Sequence, residues 1–188
     1  MDYTTLSLAE ARSGLDDLAR DAQTTFGRLD ARQLNWRPDA KRWSVAQCFE
    51  HLLQMNRLMM QAAGDGLNEK MPRTIFQRLP VLPRVLGRVM VRSQSPETTR
   101  KFSSPSQGRP SNGDIAADVV ARYVEQQRDA VTRLQAIDEH DAARAIMISP
   151  FIGVVTYSVL DGWRLMFAHG RRHVEQARRV TTEQGFPR

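Results

Sequence analysis

Between Ser158 and Gln176 the chain reads Ser-Val-Leu-Asp-Gly-Trp-Arg-Leu-Met-Phe-Ala-His-Gly-Arg-Arg-His-Val-Glu-Gln. Val159, Trp163, Met166, Phe167, Gly170, Val174 and Ala177 recur at steps of three and four, which predicts a single helix with one buried arc. Ser158 followed by Asp161 supplies an N-terminal signature for it. His169 and His173 stand four residues apart on one edge of that arc, beside Leu165 and Gln176, so their rings project one turn apart. Two imidazoles so placed can serve one divalent ion, provided a third ligand arrives from elsewhere. The other histidines are His51 and His140.

The preceding chain has the pattern of a helical bundle. Leu8, Ala11, Leu15, Leu18, Ala22, Phe26 and Leu29 form an apolar stripe within residues 5–29. Residues 34–43 read as a turn-bearing linker, where Pro38 biases Arg37 away from helix and Trp36 and Trp43 are expected to cap the core. Ser44-Val-Ala-Gln47 is a capping box opening a second helix, with Cys48, Leu52, Met55 and Met59 on its core face and His51 on the shoulder. Gly64 and Gly66 are expected to end it.

Residues 67–112 break the pattern. Pro72, Pro80 and Pro83 punctuate a basic stretch with room for a short helix at 84–92, and residues 93–113 read as an extended loop. A connection this long is usually functional or a crossover, and in a four-helix bundle it lets two consecutive helices run parallel. A third helix is expected from residues 112–114 onward, carrying Ile115, Val119, Val120, Tyr123, Val124, Val131 and Leu134. His140 falls in an acidic, solvated turn. Residues 146–155 lead into the last helix and equally suit a short extended segment. The expected architecture is all-α, one domain over residues 1–188.

Composition narrows the function classes. A chain of 188 residues is long enough for one sizeable core. Cys48 is the single cysteine, so no intrachain disulfide can form. No apolar run reaches the roughly 20 residues of a membrane span, and no secretory signal is visible, so a cytoplasmic protein is expected. The net charge is +6, and lysine occurs only at 41, 70 and 101, so arginine carries nearly all of the positive charge. Residues 70–109 concentrate it, with Arg73, Arg78, Arg84, Arg88, Arg92, Arg100 and Lys101 against Glu97 alone. That stretch suits an anionic ligand, a lipid or RNA. Without a recognisable binding motif, nucleic acid is not the expected partner.

Other metal and nucleophile classes fit worse. The chain has no H-E-x-x-H, no E-x-x-H and no G-x-S-x-G. Cys48 is expected to act as a small buried hydrophobe. Glu50 should point away from His51, Asp161 should serve the helix start and Glu175 falls on the solvent face. No general base is assigned, and the catalytic residues stay unknown.

The chain resembles the DinB/YfiT-like superfamily of metal-binding four-helix bundles. The likeness rests on Leu34-Asn-Trp36-Arg-Pro38, Trp43-Ser44-Val-Ala-Gln47, His51-Leu52, Asn56, Pro150-Phe-Ile-Gly153 and His169-Gly-Arg-Arg-His173-Val-Glu-Gln176. Together these are fairly specific; each alone is weak. The resemblance implies an up-down-down-up bundle and one divalent ion, zinc or nickel, held by His51, His169 and His173. Some relatives keep a further histidine after the pair, where this chain has Gln176. Similar proteins include low-molecular-weight thiol S-transferases, a mycothiol-dependent isomerase and proteins described as metal-dependent hydrolases, and dimers occur among them. The functional expectation is a metal-dependent thiol transferase or hydrolase acting on a small molecule. The competing expectation is a non-catalytic metal-binding or ligand-binding bundle.

Overall fold

The computed structural model describes residues 1–68, 82–98 and 106–188. Four long helices form its body: α1 (Leu8–Phe26), α3 (Val45–Leu67), α5 (Val119–Gln135) and α7 (Val159–Thr181). Shorter helices α2 (Ala31–Asn35), α4 (Leu82–Gln94) and α6 (Glu139–Arg144) join them, with a hairpin of β1 (Ile146–Ile148) and β2 (Thr156–Ser158) leading into α7. The strands pair antiparallel, Met147 opposite Tyr157. This is the extended alternative for that connection.

Contacts between side chains fix the helix directions. Arg164 donates to the Leu6 carbonyl and Arg178 pairs with Asp21, so α1 and α7 run parallel. His51 lies against His169, while Tyr157 at the start of α7 meets Met59, so α3 and α7 are antiparallel. Phe49 packs on Tyr123 and Gln126 donates to the Leu53 carbonyl, so α3 and α5 run parallel. The topology is up-down-down-up, and the long second connection is the crossover that a parallel α3–α5 pair requires.

Local chemistry explains where the helices begin. Ser7 with Glu10, Asp30 with Gln33 and Ser44 with Gln47 each form a reciprocal capping box, and the Ser158 hydroxyl accepts from the Asp161 N–H. Each cap is worth about 1 kcal/mol. Three expectations need correcting. α3 runs through Gly64 and Gly66 to Leu67, because Gly66 is a packing glycine: a Cβ there would lie 3.0 Å from the Ile146 carbonyl oxygen. α5 begins at Val119 instead of residues 112–114, since Asn35 binds both the N–H and the carbonyl of Ile115 and holds that stretch as a turn. His140 sits in α6 and not in a turn, though it remains exposed. Asp161 serves the start of α7 as expected: its N–H donates to the Ser158 hydroxyl and its carboxylate lies in the first turn, where it pairs with Arg164 at 2.9 Å.

The helix expected at 84–92 is α4, longer at both ends, and Val91 buries it against the bundle. The loop expected at 93–113 is described only at 93–98 and 106–113, where it includes a 3-10 turn at Ser106–Gly108. Pro72, Pro80, Arg73, Arg78, Arg100 and Lys101 lie outside the described residues. No helix among the described residues is long and apolar enough to cross a membrane.

Candidate metal centre

The capping box at Ser44 starts α3 so that His51 falls on the side facing α7, and the hairpin plus the Ser158 cap set the phase of α7 so that His169 and His173 face back. The three rings meet. Ring centroids lie 5.0 Å apart for His51 and His169, 4.6 Å for His51 and His173, and 4.5 Å for His169 and His173. One ligating nitrogen from each ring lies within 4.8 Å of the others. The sequence places these residues on helix shoulders, half-buried; the structure buries them, with His51 2% exposed and the pair 9% each. Neighbouring segments supply the extra cover.

Two of those neighbours escape a reading of the sequence. His51 Nδ1 donates to the Gly108 carbonyl at 2.5 Å, which makes Nε2 the acceptor nitrogen, and it faces His169 Nε2 at 3.2 Å. An outer hydrogen bond of this kind fixes the tautomer and orientation of a ligating imidazole. The Gly108 turn is itself tied down: Glu50 accepts from the N–H and hydroxyl of Ser111 at 2.6 Å, and Gln47 donates to the Ser111 carbonyl at 2.8 Å. Glu50 thus points away from His51, as expected, yet reaches it indirectly. Glycine at 108 keeps this approach close: a Cβ there would displace the flexible Met55 Sδ and lie 3.2 Å from His51 Nδ1. Loop sequence carries no periodicity from which this could be read.

Trp43 is the second neighbour. Its ring stacks on His173 at 5.7 Å and 22° and meets His51 at 5.0 Å. It walls the histidines and does not merely cap the core. Trp36 does cap, edge-on to Phe186 at 5.6 Å.

Burial pushes the pKa of all three histidines down. For His51 the Gly108 hydrogen bond opposes the shift; for His169 and His173, which fall well below the ordinary value, the neighbouring histidines and Arg172 add to it, with the Gln176 side chain opposing at His173. Neutral imidazole is the form that ligates. His173 Nδ1 is buried with no hydrogen-bond partner among the described residues. Three converging neutral nitrogen donors and one orphaned ring atom fit a borderline divalent cation. Cys48 takes no part: it is fully buried, and burial raises its thiol to about 12. His140 is remote, its Nε2 beside Arg144 at 3.3 Å.

The cluster opens onto a cavity of about 920 Å³ between α3, α4 and α7. Met55, Met59, Met90, Leu165 and Met166 give it an apolar wall, and Asn56 also lines it. The described part of the basic connection contributes Met90, Ser93, Gln94, Pro96 and Thr98, while Arg84, Arg88 and Arg92 point outward. The cations of the described lining are Lys41, Arg42, Arg172 and Arg179, with Glu175 and Glu183 opposing. Glu175, expected on the solvent face, is half-buried there and pairs with Arg178 at 3.6 Å.

An up-down-down-up bundle with three histidines converging from its second and fourth long helices defines a class of helical protein built around one internal polar cluster. The family model of the DinB superfamily matches residues 15–177, and the chain belongs to that superfamily. No curated protein and no solved structure matches the chain.

Proposed function

We propose that His51, His169 and His173 hold one divalent ion, zinc or nickel, and that the protein is a metal-dependent enzyme acting on a small molecule in the adjoining cavity. The reaction is hydrolysis or S-transfer from a low-molecular-weight thiol. One observation carries this reading: the histidine cluster opens onto a cavity of about 920 Å³ and is not sealed in the core. Structural metal sites are closed, whereas catalytic ones keep a position open. The ion, when bound, supplies an open coordination position that lowers the pKa of a water or thiol.

The chain's own groups do the rest. The Gly108 carbonyl holds the His51 ring by its Nδ1–H, and Trp43 limits rotation of His173. The methionine wall excludes water and adapts to ligand shape. Four cations against two carboxylates in the described lining favour an anionic substrate. A cytoplasmic location and a homodimer belong to the same reading, from the single cysteine and the likeness to dimeric relatives.

A non-catalytic metal-binding bundle is the second reading. It is favoured by His173 Nδ1, which makes no close hydrogen bond of the kind that orients tuned catalytic ligands, although the Gln176 side chain lies near enough to act on the ring. Elemental analysis of untagged protein beside a triple His51/His169/His173→Ala variant tests the site; metal retained by the variant sinks the proposal. Metal-loaded protein is then assayed for ester and amide hydrolysis and for conjugation with mycothiol, bacillithiol and glutathione. Turnover in one series selects the reaction. Stoichiometric metal without turnover selects the binding bundle.

A further inference from the structure

Asn56 stands in the middle of α3, five residues beyond His51 and about 7.5 Å further along the axis at 1.5 Å per residue. Its side chain is 1% exposed and lines the cavity. Neither Oδ1 nor Nδ2 has a hydrogen-bond partner among the described residues. An asparagine inside a helix usually turns its carboxamide to solvent or bonds a neighbouring backbone group. Asn56 does neither. Among the described residues, the buried side-chain atoms that make no close hydrogen bond and border this cavity belong to Asn56 and His173, and His173 is part of the histidine cluster.

A buried carboxamide with both its donor and its acceptor unused is costly, and native folds keep such groups where something completes them. We infer that Asn56 is a recognition residue for the cavity's ligand and that the group it reads is a neutral amide. The chemistry narrows the choice. Asn56 offers an acceptor and a donor side by side, so a complementary ligand group must donate and accept together. A carboxylate accepts from Nδ2 but sets negative charge against Oδ1. An ester accepts only, and a hydrocarbon does neither. Met55 and Met59 on the same helix face, with Met166 opposite, leave no charge to balance an ionised group at this depth and suit an apolar body attached to the amide. The ligand therefore lies with its amide at Asn56 and its remainder toward the histidines. This deepens the proposed function and rests on its reading of the cavity as a ligand site.

The test uses full-length 15N-labelled protein, zinc-loaded and metal-free, titrated with hexanamide, methyl hexanoate and hexanoate. The Asn56 side-chain NH2 resonances are assigned by their loss in Asn56→Leu. Hexanamide is expected to shift them in both metal states, and Asn56→Leu to weaken its binding by about tenfold or more, since both buried hydrogen bonds go unmade. Methyl hexanoate and hexanoate are expected to bind wild type and variant alike. Ligand-free Asn56→Leu is expected to melt no lower than wild type, because the leucine removes an unsatisfied amide. An unmoved Asn56 resonance, or equal hexanamide affinity in wild type and Asn56→Leu, overturns the inference. So does a lowered melting temperature or failure to fold in both Asn56→Leu and Asn56→Ala, which assigns the carboxamide to the fold. The metal-free arm separates the two readings: a histidine site that takes no metal leaves the Asn56 response intact.

Discussion

The α1–α5 pair and the α3–α7 pair carry the same helical periodicity and spend it differently. α1 and α5 pack directly on each other, and their buried residues Ala11, Leu15, Ala22, Phe26, Val119 and Ala130 are all apolar and 0% exposed. Between α3 and α7, the same buried positions hold three histidines and an asparagine, beside a cavity. The first pair supplies stability that the second can draw on. Desolvated imidazoles, an unpaired carboxamide and unfilled volume all cost free energy. A bundle can carry them along one seam when the opposite seam is close-packed.

The largest effect that would break this contrast is loss of the three histidines. Metal-loaded wild type should unfold at a higher temperature than metal-free protein, since a ligand that binds only the native state stabilises it. The triple histidine-to-alanine variant should show no metal-dependent shift in a thermal melt. Leu15→Ala, on the sealed side, comes next: a loss of about 2–5 kcal/mol in denaturant unfolding is expected, with metal stoichiometry unchanged. Coupled loss of metal in that variant would mean that the two seams are not separable.

Smaller effects sharpen the picture of the polar seam. Gly108→Ala and Glu50→Gln should each weaken metal binding by about tenfold or more, as removal of outer-shell support does, measured by competition with a chromogenic chelator. Glu50→Gln acts at a distance through Ser111 and should be the milder of the two. Cys48 provides the smallest effect. Its folded-state pKa of about 12 exceeds the ordinary 9.0, so burial favours the neutral thiol. The resulting stabilisation is complete below pH 9 and is lost as pH rises towards 12. Iodoacetamide at pH 8 should therefore leave Cys48 unlabelled until the protein unfolds, and labelling at the rate of a free thiol would show that the seam opens.

Periodicity made the four long helices and the three histidines legible, because a buried stripe and an i,i+4 pair are local patterns. The Ser44–Gln47 and Ser158–Asp161 starts were legible for the same reason. Gly108, Trp43 and the deeper role of Glu50 were not. Each acts through a contact set by the path of a connection, and no spacing rule relates residue 108 to residue 51. Gly66 misled in the opposite sense: read as a helix stop, it is a helix residue that lets β1 approach. The burial of His51 likewise depends on segments far away in sequence.

The His51–Gly108 hydrogen bond closes a span of 57 residues, and the His51–His169 contact closes 118. Non-local contacts of this kind form late in folding, because the entropy of closing the intervening chain must be met first. α3 and α7 can meet through their apolar faces alone, but His51 has its tautomer set only after the crossover has returned and Ser111 has docked on Glu50. On the proposed reading of the three histidines, metal capture with native affinity would report that the chain has completed its topology, and a bound ion would tie α3 to α7.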